Sequence, residues 1–232
     1  DVAFLSGAAL NHLHLVLNQQ DVPQTLLRER LALRAAEACM AHAGRSERAA
    51  DLRDAVGFLL AGDSPGPAGE VYVAWRRVIG RAASVKTLNG ALPDVEAAQL
   101  AEWLDVGRGG AVSRATLVLS SVRQARPRDV ATALILAEAS LAQALGWTHV
   151  VPLLTLGLNR NALQKTGEDF RFAAHRAIAK AATEATREAA VLLRHAAGLK
   201  DVAPKLRAKG ADRAVDLFLS QDAIAPSALT SL

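Results

Sequence analysis

"ALILAEASLAQALGWTHVVPLLTLGL", Ala133 to Leu158, is the longest apolar run in the chain, and its reading decides the fold. A membrane-spanning helix needs about 20 consecutive, mostly apolar residues. Here Glu138, Gln143, His149 and Pro152 interrupt the run, so it reads as the core of a folded domain. Inside it Leu134, Leu141 and Leu145 recur at helical spacing, and Glu138 falls on the same line. A carboxylate on a buried stripe is costly unless a base, a metal or backbone donors satisfy it. Glu138 is therefore a weak candidate for a general base or a ligand. The plainer alternative is a partner arginine on a neighbouring helix.

The rest of the chain follows the same pattern. Of its 232 residues 51% are hydrophobic but only 4% aromatic, with Ala and Leu as the main filler. Those two are the best helix formers, whereas aromatic and β-branched residues favour strands. No convincing period-2 stretch occurs, so the expected fold is all-α: one bundle-like multi-helix unit, or two packed helical halves, 1–106 and 111–232, meeting near Gly107 to Gly110. Helices are expected over about Val2–Leu17, Gln24–Ala43, Glu70–Ile79 and Ala82–Leu88, and over one opened by Pro93 and Asp94. Further helices are expected over about Ala111–Ala125, Arg128–Leu145, Thr148–Leu158 and Glu168–Ala197, with two short ones to close. Asp21 and Ser46 stand where N-caps belong, and "AGDSPGPAG", Ala61 to Gly69, reads as a loop. Trp75, Trp103 and Trp147 read as packing anchors.

Several chemistries are missing. With Cys39 as its one cysteine, the chain has neither a disulfide framework nor a multi-cysteine zinc site, and a reducing cytoplasm is the expected location. It has no G-x-x-x-x-G-K-[ST], no H-E-x-x-H and no Glu-x-x-His pair, and an all-α fold does not support a G-x-S-x-G nucleophile elbow. No cofactor, metal or membrane partner is expected. His12 and His14 are two apart and point to different sides of a helix. His42 and His195 read as cations near helix C-termini. His175, one turn from Phe172 and from Ile178, is a second weak acid–base candidate. "GRGG" at Gly107 to Gly110 reads as a connector.

Charge is distributed unevenly. The net charge is +4, and the segment from Arg194 to Arg213 holds six basic residues against Asp201 and Asp212; the remaining 21 basic and 21 acidic residues cancel. Within it, "VAPKLRAKGADRAVDLFL" places Lys205, Arg207, Lys209 and Arg213 together. Such a patch attracts phosphates without reading sequence. Ala211, Ala214, Val215 and Phe218 follow helical spacing and are expected to dock the following helix on the core.

At "RLALRAAEACMAHAGRSERAADLRDAV", "GDSPGPAG…AWRR", "LAQALGW…VPLLTLGL" and "APKLRAKGADRAVDLFLSQDAIAPS" the chain resembles an uncharacterised bacterial family, domain of unknown function 1403, over nearly its whole length. The resemblance supplies no catalytic residues. It implies that members extend past the end of this chain into a segment similar to a winged helix, and that they are carried on replicons near partition genes. Both ends of the chain look cut from a longer protein. "GRSERAADLRDAV" also resembles the helical amino-terminal part of Fic-type proteins, but their His-Pro-Phe…Gly-Asn-Gly-Arg signature is absent, so nucleotidyl transfer does not carry over.

The expected function is a non-enzymatic helical scaffold or adaptor in DNA-associated, replicon-maintenance machinery, with DNA or a DNA-associated protein as partner. Lys205, Arg207, Lys209 and Arg213 would form its contact surface. The alternatives are an enzyme with an inter-helix site built on Glu138 and His175, and a purely protein-binding bundle.

Overall fold

Helix α8, Val130–Leu145, packs against five other helices in a computed structural model that describes residues 2–60, 62–205 and 210–224. Every residue from Thr132 to Ala142 is buried, all the way round the helix. A helix apolar on all faces has to be enclosed by other helices, and this one is. It touches α2 (Gln24–His42), α4 (Gly66–Ile79), α6 (Ala97–Asp105), α7 (Ala111–Ala125) and α9 (Leu153–Gly157). Asp129 starts α8 by accepting the Thr132 amide at 3.0 Å. Gly146 ends it in the left-handed region at φ +68, where a residue without Cβ is least strained.

The remaining helices are α1 (Val2–Leu17), α3 (Ala49–Gly57), α5 (Val85–Ala91), α10 (Gly167–Val202) and α11 (Ala211–Phe218), with single 3-10 turns at Ala162–Gln164 and Ala203–Lys205. The fold is all-α, with no strand among the described residues. One contiguous core runs from Leu10 of α1 through Trp75 and Leu136 to Leu192 of α10. It draws on both sides of the Gly107–Gly110 connector. No helix among the described residues is long and apolar enough to cross a membrane.

Helix α10 has 36 residues, roughly 54 Å long at 1.5 Å per residue. Its buried face is mostly alanine (Ala174, Ala177, Ala181, Ala185, Ala189), which lets α1 and α9 approach closely. At Gly157 the approach leaves no room. A Cβ there would fall on the Ala177 carbonyl and lie 2.8 Å from the Ala177 Cα.

Four local expectations need correction. Thr148–Val151 is not helical, because Pro152 disfavours the α region in the residue before it, and α9 begins only at Leu153. The Ala61–Gly69 loop is shorter than expected: α4 starts at Gly66, since Pro67 fits a first helical turn, where its missing N–H is not needed. Neither Asp21 nor Ser46 caps. Pro23 precedes α2 with no side-chain cap, and α3 opens at Arg48, whose amide donates to the Asp51 carboxylate at 2.8 Å. Helix α10 continues through Gly198 to Val202, just before Pro204, which puts His195 well inside it and not at a C-terminus.

Candidate functional site

Glu138 is completely buried on α8. Its Oε1 accepts the Thr155 amide at 2.8 Å and the Thr155 hydroxyl at 3.0 Å. Because α9 starts at Leu153, the carboxyl group sits over the unsatisfied amides of a first helical turn, the role an N-cap side chain normally fills from within its own helix. The arginine partner expected from sequence is replaced by this helix start. Oε2 has no hydrogen-bond partner among the described residues. Burial pushes the Glu138 pKa up to about 8, only partly offset by Thr155 and the amides of Leu154 and Leu153.

The same threonine anchors His42, whose Nε2 lies 3.4 Å from the Thr155 carbonyl oxygen. Burial lowers the His42 pKa, so the imidazole acts there as a neutral donor rather than as the dipole-complementing cation the sequence suggested. Glu138, Thr155 and His42 thus lock α8, α9 and α2 together. Cys39, one turn before His42, is sealed in the same region. Its thiol accepts the Trp75 Nε1–H at 3.3 Å, and burial raises its pKa to about 12.

His175 lies elsewhere, at the α1–α10 contact. Its Nδ1 is 2.7 Å from Ser6 Oγ, and the Ser6 hydroxyl donates to the Ala3 carbonyl at 2.8 Å. With that hydroxyl proton committed, Nδ1–H is the donor to Ser6. Burial, then the positive charge of Arg171, lowers the His175 pKa. Glu138 and His175 therefore have separate partners. Neither lines the cavity of about 580 Å³ that opens between α4, the turn after α5 and the start of α8. His12 is exposed, and His14 stacks on Trp147 with centroids 5.8 Å apart. No cluster of three or more histidine, cysteine or carboxylate side chains suited to a metal occurs among the described residues.

The carboxyl-terminal basic residues occupy a different setting. Lys205 ends the Ala203–Lys205 turn and Arg213 lies on α11; both are exposed. Arg207 and Lys209 lie outside the described residues. Neither Lys205 nor Arg213 takes part in an ion pair among the described residues. Gly210, at φ +86, turns the chain into α11, which is anchored through buried Val215. Phe218, expected to dock alongside it, is 46% exposed, so α11 is held by a narrower seam than its periodicity implied. Beyond α11, Asp222 pairs with Arg30 of α2 at 2.7 Å.

A family model described as "Protein of unknown function (DUF1403)" matches residues 1–232. The chain belongs to that family. No curated protein and no solved structure matches it. Two features went unnoticed in the sequence. The Glu138–Thr155–His42 lock joins positions more than a hundred residues apart and has no local signature. Arg76 and Arg77, both exposed, help to line a cavity with residues of α2.

Proposed function

We propose that the chain is a non-enzymatic helical scaffold or adaptor in DNA-associated machinery, touching the phosphate backbone through Lys205, Arg207, Lys209 and Arg213. The supporting observation is the outward placement of Lys205 and Arg213 within the Arg194–Arg213 segment, which carries the chain's whole formal charge excess. A lysine and arginine surface of this kind binds by releasing counterions, which makes it dependent on salt and indifferent to sequence. The Glu138 and His175 environments support the non-enzymatic reading, since each side chain is occupied in holding helices together.

The test is fluorescence anisotropy with a short duplex across a salt series. Four phosphate contacts correspond to a log–log slope of about −3.6, or roughly 150-fold weaker binding between about 50 and 200 mM salt. The double variant Lys205→Glu, Arg213→Glu, checked for helicity by circular dichroism, should flatten the slope to about −1.8. Absence of duplex binding at low salt would refute the proposal, and so would binding that the double variant leaves unchanged.

A further inference from the structure

A second positive region is concave. It is a cavity of about 500 Å³ between α2 and the C-terminal end of α4, lined by Arg28, Glu29, Arg76, Arg77 and Arg81 together with Thr25. Basic side chains near a helix C-terminus are ordinary, because they complement the dipole and the last carbonyls. Four guanidiniums around one hollow exceed that need. The single carboxylate in the lining is already committed: Glu29 accepts the Tyr72 hydroxyl and pairs with Arg76 at 3.0 Å, and Arg76 lies over the Tyr72 ring, 5.6 Å from its centroid. Arg77 reaches one backbone carbonyl, that of Gly90, at 3.0 Å. Arg28, Arg77 and Arg81 take part in no ion pair among the described residues.

Arg28 carries the inference furthest. Its Nε is buried and has no hydrogen-bond partner among the described residues. A buried donor on a charged group is costly when unpaired, and the cost is removed by an acceptor arriving from outside the protein. The field in this corner is positive as well: after burial, Arg28 is the main cause that holds the His149 pKa down at about 4.

We propose that this cavity binds a small molecule through a phosphate group. Guanidinium forks match the oxygens of phosphate in paired, charge-assisted hydrogen bonds, and Arg76 is positioned by Glu29 and Tyr72. A hollow of this volume falls in the range of small-ligand sites and exceeds what one phosphate fills. Val73 and Ile79 in the wall supply an apolar surface for the organic part of a phosphate monoester. The site is separate from the carboxyl-terminal basic segment and does not depend on it.

Isothermal titration with inorganic phosphate, pyrophosphate and glycerol phosphate at matched ionic strength tests the site. Saturable binding is expected. Arg81→Gln and Arg28→Lys should each weaken it roughly tenfold, the order of one charge-assisted hydrogen bond. Lys205→Glu, Arg213→Glu should leave it unchanged. Tighter binding of glycerol phosphate than of inorganic phosphate would identify an esterified ligand, and the reverse order the free anion. Arg81 is exposed, so its variant remains informative if Arg28→Lys fails to fold. No saturable binding at millimolar anion overturns the proposal. Binding that survives both arginine changes, or that disappears in the Lys205→Glu, Arg213→Glu variant, also overturns it.

Discussion

Replacing Glu138 with glutamine should make the protein more stable at neutral and alkaline pH, although it removes a buried acid that bridges two helices. In the folded chain the carboxyl group keeps its proton up to about pH 8, whereas its ordinary value is 4.5. Between those two values the unfolded chain has released a proton that the folded chain still holds. Stability therefore falls as pH rises through this window and levels off above it. Each pKa unit corresponds to 1.36 kcal/mol, so the full effect is about 5 kcal/mol if neither water entry nor relaxation softens it. Glutamine keeps an oxygen to accept the Thr155 amide and hydroxyl but cannot ionise. Its amide NH2 replaces an Oε2 that already lacks a partner among the described residues, so the two neutral forms should be nearly equal in stability. Urea denaturation of both proteins through the window provides the assay. The wild-type and Glu138→Gln curves should converge near pH 4.5 and separate steadily towards pH 8. Taking the difference cancels the histidines, whose lowered pKa values shift both curves alike: His149 stabilises above its ordinary value of 6.5 and loses that contribution as pH falls towards about 4. A constant gap across the window would show that Glu138 is not held protonated by burial, and the account of the α8–α9 junction would fail.

Two further outcomes follow from the packing. Gly157→Ala should destabilise by about 3 kcal/mol, the upper end for overpacking, because the obstacle is the backbone carbonyl of Ala177 and not a mobile side chain; an unchanged urea midpoint would refute the close α9–α10 crossing. Cys39 should resist thiol reagents in the native state. With a pKa near 12 its thiolate fraction at mildly alkaline pH is on the order of a thousandfold below that of a free cysteine. Its labelling rate should follow global unfolding across a denaturant series, and fast labelling without denaturant would contradict the burial.

Much of this architecture could be read from local pattern. The 133–158 run was legible as core because its interruptions rule out a span, and helix α1 and helix α7 follow their apolar periodicity from end to end. Boundaries slipped where one residue outweighed the pattern. Pro152 cut α9 to a single turn, Pro67 admitted a helix start inside a stretch that read as loop, and Gly198 cost α10 too little to stop a helix braced along α1. Side-chain partnerships were less accessible, because they depend on which helices meet. Glu138 was recognisable as a problem in its own sequence, but its solution, Thr155 in the first turn of α9, 17 residues on, required α9 to fold back over α8. Arg28, Arg76 and Arg81 lie in two segments about 50 residues apart, and nothing in either shows that they share one hollow.

The two positive regions differ in shape, and the difference sets what each can hold. Lys205 and Arg213 stand in open solvent, where an attraction falls off within a Debye length of about 8 Å at physiological salt. A single contact there is worth little, so useful affinity needs an extended polyanion that repeats the same charge many times. In the α2–α4 hollow four arginines line one concave surface, and Arg28 is already stripped of water at Nε. A lower effective dielectric strengthens each contact there, and the walls limit the partner to something compact. Salt should accordingly separate the two: duplex binding at the open segment collapses with ionic strength, while a phosphate monoester in the hollow loses far less. If both decline in parallel, the hollow is as open to solvent as the carboxyl-terminal segment, and the distinction between a surface for a polymer and a pocket for a small molecule is lost.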